Sequence, residues 1–356
     1  MQKTLKDIGE FGLITTIESI LKGQRGVRGL RLGIGDDAAS LVPRQGYELL
    51  VTCDSVVEGI HYFPEFIGPK DLGRRAMVLN ISDIGAMGGH PLYALISLGL
   101  KATTPVHHIE EMYRGFLVEL SPFGAGVIGG NITRSENFSF IDITLIGEVE
   151  EGRVLRRSTA RAGDAILVTG YPGQAAAGLE LLLKGNGRGE LVEHPLVQSY
   201  IRPRHRAREG KAIADTGCAN AMIDISDGLL GDLAHICERS NVGALLIQEQ
   251  LPVSDELRRG AASLGKSPYD FMFRASDDYE LIITCDPGNI HSIRTAVSSI
   301  CDVPLNEVGR IIDASEGIKL KLPDGRLEPV PPLWLGQLCR LNYPAASGRS
   351  INRKFS

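Results

Sequence analysis

Apolar residues recur at three- and four-residue steps through the first 24 positions, at Leu5, Ile8, Phe11, Ile14, Ile17, Ile20 and Leu21. That spacing predicts an amphipathic helix. Residues 48–54 (ELLVTCD) then read as a strand ending on an aspartate, 70–89 as a helix, 92–100 as a buried strand and 106–120 as another helix. The apolar run 125–129 predicts a short strand entering a GGNITRS turn, and 138–149 alternates as a strand. Around 150–164 the chain becomes charged and turn-rich, which marks a domain boundary. Beyond it come a strand at 165–170, a glycine-flanked helix, the strand–acidic turn–helix series AMIDISDGLLGDLAHI, and a strand at 278–285. Residues 341–356 read as a weakly ordered basic tail. Strands and helices alternate without the regular glycine loops of a dinucleotide-binding sheet, so the predicted class is α+β.

Composition narrows the function. With 38 basic and 43 acidic residues the net charge is −5, which argues against nucleic acid as a partner. Six scattered cysteines contain no C-x-x-C, so neither a zinc site nor a disulfide framework is expected. The N-terminus lacks a signal-peptide pattern and no run of 18 apolar residues occurs, so the expected location is the cytoplasm, with no membrane contact. The 42 glycines suit tight turns and close backbone approach to phosphates.

Two nucleotide motifs are rejected. Gly260–Ser267 matches G-x-x-x-x-G-K-S, but a helical pattern precedes it where a phosphate-binding loop needs a strand, and Pro268 follows. Gly33-Ile-Gly35 lacks the third glycine of the dinucleotide fingerprint and leads into Asp36-Asp37.

The acidic turns are more informative. Asp36-Asp37 follows glycines, Asp54 ends a strand, Asp83 sits in NISD, and Asp224 and Asp227 sit in DISDG. Any one of them could be a helix cap. Five or more in small, apolar surroundings are better explained by a shared Mg²⁺ cluster, since Mg²⁺ takes oxygen ligands and bridges phosphates. His61 lies among hydrophobic residues, as packed histidines do. Arg156, Arg157 and Arg161 could hold phosphates or form a solvated turn.

The ordered set GIGDDAA (33–39), EGIHYF after Asp54, RRAMVLNISDIGAMGGHP (74–91), GGNITRS, LRRSTARAGDAILVTGYPG (155–173), MIDISDGLLGDLAHI (222–236) and DDYELIIT (277–284) resembles the thiamine-monophosphate kinase family. This family lies in the superfamily of aminoimidazole ribonucleotide synthetase. The resemblance implies an α+β chain of two domains. Residues 1–150 would bind ATP and Mg²⁺ and contribute strands to a dimer β-barrel. Residues 151–340 would form a C-terminal α/β sandwich, followed by a flexible tail at 341–356. It implies transfer of the ATP γ-phosphoryl group to thiamine monophosphate in a homodimer. By position, Asp37, Asp54, Asp83, Asp224 and Asp227 match magnesium ligands. Gly130, Arg157, Ser226, Thr52 and Cys53 match positions near nucleotide or metal. His61, Asp277 and Trp334 match the acceptor pocket. Three departures stand out. Asn131, at a further magnesium position, replaces a usual aspartate and would bind the metal more weakly through its uncharged oxygen, Cys53 replaces a usual hydroxyl, and Asp277 a usual glutamate. Two alternatives stay open: a relative phosphorylating an amide or carbamoyl oxygen, and an ATP-binding dimer without turnover.

Overall fold

The computed structural model describes residues 3–24, 26–185 and 189–330. Trp334 and the tail expected at 341–356 lie outside the described residues.

Helix α1 (Leu5–Leu21) leads into a small ribbon of β1 (Leu30–Leu32) and β2 (Ser40–Leu41). β3 (Tyr47–Val57), β4 (His90–Leu100), β5 (Gly126–Arg134) and β6 (Phe140–Glu150) then form a four-stranded sheet in the order β3-β6-β4-β5. β4 and β5 run parallel and the other pairs antiparallel. Residues 129–134, expected as a turn, are therefore strand: the backbone of GGNITR is held by β4.

α2 (Pro69–Ala86) and α3 (Val106–Leu120) cover one face of this sheet. Ile141, Ile143 and Leu145 of β6 point into that core with Met77, Ile81, Ile109 and Phe116, all fully buried. The alternate residues of β3 face outward, leaving Leu49 and Val51 at 48% and 66% exposure. α2 and α3 approach through glycines. A Cβ on Gly73 would lie 2.1 Å from the Met112 carbonyl oxygen, and one on Gly115 2.2 Å from that of Lys70.

The second sheet holds β7 (Ala165–Thr169), β8 (Ala219–Asp224), β9 (Gly243–Ile247), β10 (Leu281–Cys285), β11 (Leu305–Ile312), β12 (Ile318–Lys321) and β13 (Leu327–Pro329), in the order β13-β12-β9-β11-β7-β10-β8. Only β9 and β12 pair in parallel. β10 begins later than its sequence suggested, at Leu281. α4 (Gln174–Lys184) and α5 (Pro195–Ile201) pack into the first core through Leu182, Val197 and Ile201. α6 (Ala207–Thr216) and α10 (Ile290–Ser298) lie on one face of the second sheet, and α7 (Leu229–Ser240) on the other. α8 (Asp255–Ser263) and α9 (Pro268–Met272) flank the rejected G-x-x-x-x-G-K-S match. Gly265, at φ 68, ends the first of these, and Ser267 caps the second. No strand precedes the motif, so it cradles no phosphate.

The glycine crossing yields a test. Gly73→Ala should lower the unfolding free energy in a urea titration by about 1–3 kcal/mol. Val118→Ala on the exposed side of α3 should stay within about 0.5 kcal/mol of the parent. Equal stability of all three proteins would refute the close crossing.

Candidate metal and phosphate site

Three elements bring carboxylates to one seam. Asp54 comes from the outer half of β3, Asp83 from the last turn of α2, and Asp224 from the end of β8 in the second sheet. Ser82, next to Asp83, donates a 2.6 Å hydrogen bond to Asp224, and Thr52 donates to Asp83. Asp224 is buried. Burial raises its pKa, the charge of Asp83 raises it further, and the Ser82 hydroxyl and Arg157 pull the other way. Asp54 is raised first by burial, then by the charge of Asp83 and hydrogen bonding to it, then by Asp142. Carboxylates crowded in this way raise one another's pKa.

The turn after β8 extends the seam. Ser226 and Asp227 each donate a backbone N–H to the buried Asp232 carboxylate at 2.9 Å. Gly228 is essential to that turn: its φ is 92, and a Cβ would lie 2.2 Å from the Arg274 carbonyl oxygen. Burial and then the charge of Asp224 raise the Asp232 pKa well above its ordinary value, against the two backbone hydrogen bonds that lower it. Asp227, Asp232 and His235 offer donor atoms within 4.8 Å of one another.

Asp37, Gly130 and Asn131 stand apart from this seam. With Asp36, Ser97, Asp142 and Thr144 they line a cavity of about 820 Å³ between α1, the 33–39 segment and the open face of the first sheet. Gly130 lies on β5, where a Cβ would be 2.0 Å from the Ile96 carbonyl oxygen. Cys53 and Ser55 face outward on β3 and donate to Asp142 at 3.3 and 2.5 Å.

A third group surrounds Asp277. The buried Arg75 of α2 pairs with it, donates to the Tyr200 carbonyl and stacks over the Tyr200 ring at 4.6 Å. The Tyr279 hydroxyl donates to Asp277 at 3.0 Å from a backbone held at φ 53, the left-handed region that non-glycine residues rarely adopt. His61 is close enough to feel both charges. Burial lowers its pKa, Asp277 raises it and Arg75 lowers it. Its Nδ1 accepts the Val57 N–H at 3.1 Å, so the neutral ring carries its proton on Nε2.

Thus Thr52, Asp54, Asp83 and Asp224 come together with Arg157 near enough to act on Asp224, Ser226 and Asp227 adjoin them, Asp37, Gly130 and Asn131 share a cavity with Asp142, to which Cys53 donates, and His61 lies within reach of the Asp277 charge. Sequence reasoning missed Arg75, Asp142, Asp232 and His235. Asp232 and His235 had a signal, an acid and an imidazole one helical turn apart directly after DISDG.

The donor set suits Mg²⁺. It is dominated by carboxylate and hydroxyl oxygen, from crowded acids that a hard dication would neutralise.

Family models match both halves: AIR synthase related protein, N-terminal domain, over residues 35–149, and its C-terminal domain over 161–321. The thiamine-monophosphate kinase of Aquifex aeolicus is 39% identical over 79% of this chain and 87% of its own length. That of Escherichia coli K12 is 33% identical over 92% and 97%. Among solved structures, the thiamine-monophosphate kinase of Stenotrophomonas maltophilia superposes with TM-score 0.77 at 34% identity, over 90% of this chain and 98% of that one. AaThiL complexed with AMPPCP and TMP gives TM-score 0.71 at 34% identity, over 93% and 98%. The Escherichia coli hydrogenase maturation protein HypE, at TM-score 0.72 and 19% identity over 89% and 96%, shares the fold.

The crowding at the seam has a measurable cost. Asp224→Asn should raise the melting temperature in metal-free buffer, because it removes a buried charge beside Asp83. It should also weaken the further rise on adding MgCl₂. A lower metal-free melting temperature, or an unchanged response to Mg²⁺, would count against the seam as a cation site.

Proposed function

The chain belongs to the AIR synthase related family and, within it, to the thiamine-monophosphate kinases, and we infer from that membership that it transfers the γ-phosphoryl group of ATP to thiamine monophosphate, giving thiamine diphosphate and ADP. The observation that supports this reading at the level of residues is the convergence on one seam of Asp54 from the first sheet, Asp83 from α2 and Asp224 from the second sheet.

The acceptor is a phosphate monoester with a second pKa near ~6. It is anionic at neutral pH and needs no general base. The chain's work is to hold two polyanions in line and offset their repulsion. In this reading Asp54, Asp83, Asp224 and Asp227, with Asp37, hold Mg²⁺, and Asn131 offers a neutral oxygen. Bound there, Mg²⁺ would neutralise phosphate charge. Thr52 orients Asp83, and Asp232 orients the Ser226–Asp227 turn through its two backbone hydrogen bonds. Gly130 presents its backbone to the nucleotide from the cavity wall, Arg157 and Ser226 take nucleotide oxygens, and Cys53 borders the nucleotide. At the acceptor side the Nε2–H of His61 donates to the substrate. Asp277, oriented by Arg75 and Tyr279 and 41% exposed, faces the cationic thiamine moiety. Trp334 is assigned to that pocket by its position in the sequence alone.

The reading includes a homodimer. The outward face of the first sheet, with Leu49 and Val51 exposed beside the nucleotide residues, is the surface assigned to the second copy, where the two sheets would build a barrel. The five described cysteines are all free thiols, in keeping with a cytoplasmic enzyme, and no described helix is long and apolar enough to cross a membrane.

Incubation with thiamine monophosphate and Mg-ATP should give thiamine diphosphate and ADP in equal amounts by chromatography. Asp227→Asn should abolish both while the circular dichroism spectrum stays unchanged. ADP without thiamine diphosphate would redirect the search to another acceptor.

A further inference from the structure

We propose that Asp142 supplies the anionic metal ligand on the nucleotide side of the site, in place of the neutral amide of Asn131. The inference rests on the kinase reading given above and concerns this chain's own way of building the site.

Four residues form one row across the first sheet. Ser55 of β3 pairs with Asp142 of β6, Asp142 with Ser97 of β4, and Ser97 with Asn131 of β5. Residues paired across strands project from the same face. Ser97, Asn131 and Asp142 accordingly line the same cavity, together with Asp36 and Asp37. Every side chain of the row carries oxygen, and only Asp142 carries charge. The next row towards the ribbon, Cys53–Thr144–Leu95–Gly129, offers no carboxylate.

Asn131 presents a single uncharged oxygen to a phosphate-bound dication, a weaker ligand than a carboxylate. Asp142 stands two strands away, about 9–10 Å at the usual strand spacing. That shift carries the negative charge towards Asp54 and keeps it in the cavity that Asp37 also lines. Each carboxylate oxygen of Asp142 accepts one hydrogen bond, from Ser55 and from Cys53. Both donors lie on β3, and they fix the carboxylate while leaving lone pairs for a cation. The row thus retains one anionic oxygen, relocated along it.

The test is direct metal binding rather than turnover. Mn²⁺ stands in for Mg²⁺, and the free ion is counted by electron paramagnetic resonance in the presence of AMPPCP. The unmodified chain should bind Mn²⁺ with the nucleotide analogue. Asp142→Asn should weaken that binding roughly tenfold or more, in the range that loss of a metal-site partner produces. Its melting temperature without metal should not fall. The double variant Asn131→Asp/Asp142→Asn should recover most of the affinity, whereas Asn131→Asp alone should improve it less than it does in the double variant. Equal Mn²⁺ affinity for the parent and Asp142→Asn would overturn the proposal and leave the kinase reading standing. So would a loss that Asn131→Asp fails to repair. If Asp142→Asn does not fold, Asp142→Ser, which keeps an oxygen for the β3 donors, serves in its place with the same expectation. Failure of the unmodified chain to bind Mn²⁺ and AMPPCP at all would overturn both readings.

Discussion

Carboxylates that repel one another meet where the two sheets touch, and much of this molecule is arranged around that repulsion. Asp224 is buried at the end of a strand, Asp83 faces it from a helix, and Asp54 closes in from the other sheet. Among the described residues Arg157 acts on Asp224, and the hydroxyls of Thr52 and Ser82 relieve only part of the charge. A fold selected for stability alone would replace such acids with apolar residues. Keeping such acids costs stability unless something offsets their charge, which is what the proposed Mg²⁺ would do. The same seam draws on both domains, with Asp54 from the first sheet and Asp224 from the second.

Around it, charge is handled in two ways. At Asp277 the protein supplies its own cation, Arg75, buried and braced by Tyr200. That carboxylate is therefore oriented before any ligand arrives. At Asp54, Asp83 and Asp224 the cation would come from outside, as the proposed Mg²⁺. The first arrangement suits recognition of an organic substrate, which needs a fixed shape. The second suits phosphate chemistry, which needs positive charge that can bridge several oxygens at once.

Much of this was legible in the sequence because it is local. The acids of NISD and DISDG announced themselves through the small and apolar residues beside them, and periodicity located the helices that carry them. GGNITR was misread as a turn because its glycines and polar residues obey turn chemistry. Pairing with β4 overrides that preference, and Gly130 is there because a neighbouring carbonyl leaves no room for a side chain. Arg75 could not be told from Arg74 without knowing which face of α2 is buried. Asp142 was visible only as a polar step in an alternating strand. Its importance depends on register with β4 and β5, and register is a property of the assembled sheet.

α2 has a mechanical consequence. It is pinned near one end by Gly73 against α3 and at the other by Gly85, where a Cβ would lie 2.4 Å from the Ala207 Cα of α6. Because α2 carries Asp83 and Arg75 and touches both domains, a hinge between the sheets would have to pry apart contacts with no slack. With both ends of α2 packed without room for a Cβ, Asp83 and Arg75 ride on one helix whose place both domains fix, so a side chain added at either glycine would displace both groups together.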